Sequence, residues 1–200
     1  METATKITFG RMISAPVFFI IYFLPVWLRQ FPIILPISVF VMAPLLTFAH
    51  LTDYLDGKYA RKYNQVSDFG KVLDPFADVF LNITIFYSLV LSGYMPGVIF
   101  LCIIYRELGM TFIRMIAMQK GVTIAARGGG KLKTVIYIGS SSFALLIECF
   151  LRLGLFSAGD FPIPACKLVS LALFILCLII SYISFVDYLI SFRKVLKEGK

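Results

Sequence analysis

Four carboxylates, Asp53, Asp56, Asp74 and Asp78, carry the chemistry that this sequence makes legible first. The first two are spaced i,i+3 and the second two i,i+4, so each pair falls on one face of a helix. Long apolar segments lie immediately before and after them. An acidic residue at membrane depth costs roughly 2.5–3.5 kcal/mol on insertion scales, and four clustered carboxylates also repel one another. The neighbouring Lys58, Arg61, Lys62, Asp68 and Lys71 read as loop charges, in or beside a short loop over 58–70, so a simple solvated face does not account for the acids. A pair of divalent cations held between two facing helices does, because hard Mg2+ or Mn2+ prefers oxygen ligands.

The stretch from Asp53 to Asp78 also fits a longer pattern, D-x2-D-G-x2-A-R-x8-G-x3-D-x3-D, through Asp53, Asp56, Gly57, Ala60, Arg61, Gly70, Asp74 and Asp78. It resembles the signature of the CDP-alcohol phosphotransferases at every fixed position. Gly57 and Gly70, lacking side chains, allow a bulky ligand or a neighbouring backbone to approach. Ala60 followed by the Arg61 guanidinium suits a base attached to a pyrophosphate. The resemblance implies that Asp53, Gly57, Ala60, Arg61 and Gly70 bind the CDP moiety. It implies that Asp53, Asp56 and Asp74 are metal ligands, and that Asp78 contributes to the second metal and serves as the catalytic base. The implied reaction is attack of an alcohol on the β-phosphate of a CDP-linked lipid, with release of CMP and no covalent enzyme intermediate. A homodimer is implied as well.

A second constellation bears on the alcohol. Arg106-Glu107 and Arg114 lie in an apolar run, and Lys131-Leu132-Lys133-Thr134 opens the next. Intramembrane arginines are costly unless they are paired or face a polar cavity. Arg106 could pair with Glu107 or with an aspartate, and the lysines could anchor the interface; the sharper reading is a pocket for a phosphorylated acceptor. This arrangement, with the N-terminal Ile7-Thr8-Phe9-Gly10-Arg11, is similar to the branch of the family whose acceptor is glycerol 3-phosphate. The resemblance assigns Thr8, Arg11, Arg106, Arg114, Lys131 and Lys133 to the acceptor phosphate. Cardiolipin synthases of the same superfamily usually carry an S-K-x-N-T-like segment where this chain has Gly130-Lys131-Leu132-Lys133-Thr134. The chain departs from the family pattern at Ala4-Thr5, where Pro-Asn is common, at Val79, where lysine is usual, and at Tyr137, often glutamine.

The elements that must position these residues follow from composition. The 200-residue chain is 60% hydrophobic and 15% charged, with mean hydropathy +0.90. A soluble domain is about 45–50% apolar and about 25% charged, so an integral membrane protein is indicated. Apolar runs near 12–28, 33–52, 76–96, 97–118, 134–155 and 165–190 can each span a bilayer. The expectation is an all-α membrane protein of six transmembrane helices, forming a single catalytic domain over 1–200 with a short interfacial segment at 1–11. The second run ends in one aspartate pair and the third begins with the other, which places both pairs at one membrane edge.

With the N-terminus cytoplasmic, 14 of the Lys and Arg residues fall on that side, against Arg29, Arg152 and Lys167 on the other. That positive-inside bias predicts an inner-membrane protein whose aspartates open to the cytoplasm. The net charge of +8 therefore follows topology and not nucleic acid, and a basic rim also attracts anionic lipids. Expected partners are CDP-diacylglycerol, glycerol 3-phosphate and membrane lipids.

Other features add little chemistry. Cys102, Cys149, Cys166 and Cys177 lack C-x-x-C spacing and read as packing residues. Arg127-Gly128-Gly129-Gly130-Lys131 lacks the full phosphate-loop pattern and reads as a flexible loop. His50 precedes Asp53 by one helical turn and reads as a packing residue. Glu148 and Arg152 are spaced to pair, and Gly93 with Pro96 marks a turn. An ion-coupled transporter is the rival class; it predicts flux without CMP release, and no inverted repeat supports it.

Overall fold

The computed structural model describes the backbone of residues 3–62, 68–119, 128–157, 159 and 162–198, and the side chains of 8–48, 73–117, 132–157, 159 and 162–193. The described residues form six helices and no strand: α1 (Thr3–Trp27), α2 (Ile34–Lys62), α3 (Asp68–Leu91), α4 (Gly97–Gln119), α5 (Gly128–Arg152) and α6 (Pro162–Glu198). Helices are what such apolar runs must form, because a bilayer offers no partner for an unpaired backbone amide or carbonyl.

The helices are longer than the apolar runs. Lys58, Arg61, Lys62, Asp68 and Lys71, expected as charges in or beside a loop over 58–70, have helical backbone in α2 and α3. Gly128 to Lys131, expected as loop, opens α5, and α1 already begins at Thr3 inside the expected interfacial segment. Helix formation continues past the apolar run because main-chain hydrogen bonding does not depend on side-chain polarity.

Among the described residues, four stretches are long and apolar enough to cross a membrane: Thr8–Trp27, Leu73–Leu91, Leu132–Arg152 and Pro162–Arg193. The described apolar part of α2 is Ile34–Phe48, and α4 carries Arg106, Glu107 and Arg114. The six expected spans thus correspond to six helices, four of which contain such a stretch among their described residues.

α3 and α5 end by the same device. Gly93 has φ +77° and Gly154 φ +72°, a region that glycine enters without a Cβ clash. After α3, Gly93 N donates to Val90 O at 3.1 Å and Tyr94 N to Leu89 O at 2.9 Å. After α5, Gly154 N donates to Leu151 O at 3.1 Å and Leu155 N to Phe150 O at 3.0 Å. Both are Schellman closures that satisfy the last carbonyls of the helix. Only the first was signalled in the sequence, by the nearby Pro96.

Two compact units emerge: Met1–Ser88 with Ile147–Asp160, and Leu89–Leu146 with Phe161–Lys200. In the first, α1 packs on α2, and Ala15, Phe18, Tyr22, Met42, Ala77 and Ile85 are buried. Arg152 closes this unit from the end of α5. Its Nε donates to Glu148 Oε1 at 2.8 Å and its NH1 to Ser38 Oγ at 3.0 Å, and its guanidinium lies 4.3 Å from the Tyr22 ring centroid. The expected i,i+4 pair is present, inside a buried network.

In the second unit α4 packs on α6. A Cβ on Gly109 would come within 3.2 Å of Phe185 Cζ, so glycine permits this close approach. Tyr182 OH donates to Cys102 O at 3.0 Å, and Ser140 Oγ lies 3.2 Å from Cys177 Sγ. Cys177 is a buried packing residue between α5 and α6.

Removing Arg152 strands a largely buried carboxylate, an effect that costs several kcal/mol in a fully buried pair. With Glu148 still 17% exposed, Arg152→Ala should cost about 2 kcal/mol and lower the melting temperature in detergent by about 5 °C. Arg152→Lys should cost less, because the charge remains while the two-directional fork is lost. An unchanged melting temperature for Arg152→Ala would show that the network contributes nothing to stability.

Candidate functional site

In the first unit, α3 presents Asp74 and Asp78 one turn apart, and α1 presents Thr8 and Arg11 one turn apart against them. Thr8 Oγ1 donates to Asp74 Oδ1 at 2.5 Å, and Arg11 NH1 donates to Asp78 Oδ1 at 2.5 Å. The matching follows from the helical period, since i,i+3 on one helix and i,i+4 on the other both stack residues along one face. Both α1 side chains are buried, whereas the Asp78 side chain is 42% exposed. Asn82, one turn further along α3, donates from Nδ2 to Asp78 O at 2.9 Å. The sequence grouped Thr8 and Arg11 with the acceptor phosphate; the structure seats them on the α3 carboxylates.

Asp53, Asp56, Gly57, Ala60 and Arg61 have helical backbone in α2, and Gly70 has it in α3. Their side-chain environments, like those of His50 and Lys131, lie outside the described residues. Among the described residues no three His, Cys, Asp or Glu side chains gather; Asp74 and Asp78 are two of the four acids that the motif assigns. Their chemistry fits a hard divalent cation. They offer carboxylate oxygen only, each has one oxygen steadied by an α1 donor, and Asp78 is open to solvent on part of its surface.

The second unit brings Arg106, Glu107, Lys133 and Tyr137 together from α4 and α5. Glu107 Oε1 accepts from Arg106 NH1 at 2.9 Å, Lys133 Nζ at 2.8 Å and Tyr137 OH at 3.0 Å. Glu107 Oε2 accepts from Lys133 Nζ at 3.0 Å. Arg106 Nε donates to Ser181 O at 2.9 Å. Arg114, two turns beyond Arg106, lies 5.9 Å from the Tyr188 ring centroid. The pairing of Arg106 with Glu107, one of the alternatives open in the sequence, is what forms.

Sequence reasoning missed Glu107 as a hub and Tyr137 as its donor. A signal existed: Lys133 and Tyr137 are i,i+4 and therefore share a face of α5. Nothing local marked the Ser181 carbonyl.

The sequence matches the CDP-alcohol phosphatidyltransferase family over residues 1–192. A Treponema pallidum protein named CDP-diacylglycerol–glycerol-3-phosphate 3-phosphatidyltransferase is 39% identical over 184 residues, covering 90% of this chain and 84% of the relative. A Bacillus subtilis protein of the same name is 36% identical over 144 residues, covering 70% and 75%. A Mycobacterium tuberculosis (strain H37Rv) protein named probable phosphatidylglycerophosphate synthase is 40% identical over 88 residues, covering 44% and 42%.

The Arg11–Asp78 contact is measurable through a double-mutant cycle of Arg11→Met and Asp78→Ala. Because Asp78 is 42% exposed, solvent screens the pair, and a coupling of about 1 kcal/mol is expected in detergent unfolding. A coupling indistinguishable from zero would show that the two side chains do not hold each other in solution.

Proposed function

The chain belongs to the CDP-alcohol phosphatidyltransferase family, and on that premise we propose that it transfers the phosphatidyl group of CDP-diacylglycerol to glycerol 3-phosphate. The products are phosphatidylglycerophosphate and CMP, which makes this a step of phospholipid biosynthesis. The observation that carries this reading is the eight-residue pattern from Asp53 to Asp78 within a chain that aligns over most of its length with relatives named for that reaction.

Each residue has a task under this reading. Gly57, Ala60, Arg61 and Gly70, with Asp53, receive the CDP moiety, the small residues giving room and Arg61 a bidentate partner for phosphate. Asp53, Asp56, Asp74 and Asp78 would hold two Mg2+ or Mn2+ ions, which when bound neutralise the pyrophosphate and the departing CMP oxygen. Asp78 accepts the proton of the attacking hydroxyl. A new oxygen–phosphorus bond forms to the phosphatidyl group as the bond to CMP breaks. Thr8 and Arg11 hold Asp74 and Asp78 from α1. Arg106, Arg114, Lys131 and Lys133 form the acceptor-phosphate site, where guanidinium groups give direction and ammonium groups add charge. The site faces the cytoplasm of an inner membrane, following the Lys and Arg bias, and the protein is a homodimer.

The deciding experiment is CMP release by the purified protein with CDP-diacylglycerol and a panel of alcohols. Release should require a divalent cation and favour glycerol 3-phosphate over glycerol, since an unphosphorylated alcohol leaves the cations unpaired. Equal rates with both, or better rates with phosphatidylglycerol, would overturn the acceptor assignment. Asp56→Ala and Asp78→Asn should each abolish turnover, with Asp78→Asn still binding the CDP-lipid; near-wild-type release by either would remove the two-metal reading.

Arg114→Ala should raise the acceptor KM about ten- to a hundredfold and leave CDP-diacylglycerol affinity nearly unchanged, because a charged hydrogen bond contributes roughly 1.5–3 kcal/mol. Orientation is tested separately. A cysteine at Gln65, in a background without native cysteines, should react with an impermeant maleimide only after cells are permeabilised. Labelling of intact cells would reverse the topology.

A further inference from the structure

We infer that the buried Arg106–Glu107 pair is a positioning device for Lys133, leaving Lys133 and Arg114 to engage the acceptor phosphate. This inference rests on reading the basic cluster as the acceptor site, and it divides that cluster into scaffold and ligand-binding members.

Arg106 is committed elsewhere. It is 3% exposed, its Nε is held by the Ser181 carbonyl and its NH1 by Glu107, and its guanidinium lies 5.9 Å from the Phe185 ring centroid. A guanidinium fixed on α6 through one nitrogen and on its own neighbour through another cannot turn toward a substrate without breaking buried hydrogen bonds. Its effect is to orient the Glu107 carboxylate.

Glu107 in turn grips Lys133. The ammonium bridges both carboxylate oxygens, at 2.8 and 3.0 Å, and sits 4.9 Å from the Tyr137 ring centroid. A lysine has a flexible four-carbon stem and no preferred fork, so its direction has to be imposed from outside. Arg106 and Lys133 are two like charges held on the same oxygen, Glu107 Oε1, at 2.9 and 2.8 Å. Among the described residues Glu107 is the carboxylate that offsets them. Lys133 has three N–H donors, and two directed to Glu107 leave one for an incoming anion. Its side chain is 17% exposed against 5% for Glu107, so of this pair Lys133 is the member a ligand can reach.

The charge count agrees with the chemistry. Arg106, Arg114, Lys131 and Lys133 supply four positive charges and Glu107 one negative, so the assigned site stays net positive. A phosphomonoester, with a second pKa of about 6, is close to a dianion at neutral pH. A site that stays cationic suits a phosphorylated acceptor, and Glu107 aims the cation that meets it.

The test is steady-state kinetics on the full-length enzyme, varying glycerol 3-phosphate at saturating CDP-diacylglycerol, with melting temperatures recorded alongside. Glu107→Asp keeps the charge but withdraws the carboxylate by one methylene. It should raise the acceptor KM about tenfold, with kcat, the CDP-diacylglycerol KM and the melting temperature little changed. Glu107→Gln should also raise the acceptor KM, whereas a purely electrostatic role would lower it by adding net positive charge. In a Lys133→Ala background Glu107→Asp should add no further effect, a dependence that a merely structural role would not show.

If Lys133→Ala raises the acceptor KM but Glu107→Asp does not, or Glu107→Gln lowers it, the positioning role is overturned and the acceptor site stands. If Lys133→Ala leaves the acceptor KM unchanged, the acceptor site falls and this inference falls with it. Should the Glu107 variants fail to fold, Tyr137→Phe decides, because it removes the hydroxyl donated to Oε1 and keeps the ring beside Lys133. An acceptor KM raised by about two- to fivefold supports the positioning role, and an unchanged one overturns it.

Discussion

A charge carried on an apolar helix must find a partner, and that requirement organises the described part of this protein. Such residues are expensive at membrane depth unless they pair or face a polar cavity. Arg11 meets Asp78, and Thr8 meets Asp74. Glu107 gathers Arg106, Lys133 and Tyr137. Arg152 joins Glu148, Ser38 and the Tyr22 ring. Each cluster ties helices that hydrophobic contact alone would hold without a defined axial register, since a lipid tail is as apolar as a leucine and gives little drive toward one alignment.

The clusters differ in what remains accessible, and the proposed roles follow that difference. Arg152 and Arg106 are buried and committed, so they act as fasteners. Asp78 is steadied on one oxygen and still 42% exposed, and Lys133 is gripped yet partly open. A reactive carboxylate or a phosphate-binding ammonium needs this combination of fixed direction and open access. Catalytic gain depends on geometry prepared before the substrate arrives.

Helix termination shows the same economy. Glycine with positive φ closes both α3 and α5, satisfying terminal carbonyls within the chain itself. α4 and α6 approach closely at Gly109, against Phe185, and the same two helices bring Arg106 to the Ser181 carbonyl. A small residue at the crossing therefore contributes indirectly to the direction of Lys133.

What the sequence determined by itself is local or carried in a compact motif. The apolar runs imply the helices, because backbone groups in lipid have no alternative partner. Gly93 marks a helix end through its φ, and Glu148 pairs with Arg152 because i,i+4 residues meet on any helix. The motif from Asp53 to Asp78 names the chemistry because its spacing is short and invariant to how the helices are arranged.

Tertiary structure decided which partners meet across long separations. Thr8 reaches Asp74 and Arg11 reaches Asp78 across 66 and 67 residues, and Lys133 finds Glu107 across 26. These pairings depend on the rotation and axial offset of each helix. Helices that are apolar around most of their circumference, α6 above all, do not encode either quantity in their pattern. For that reason the contacts of Thr8 and Arg11 with the α3 carboxylates were not legible in the sequence.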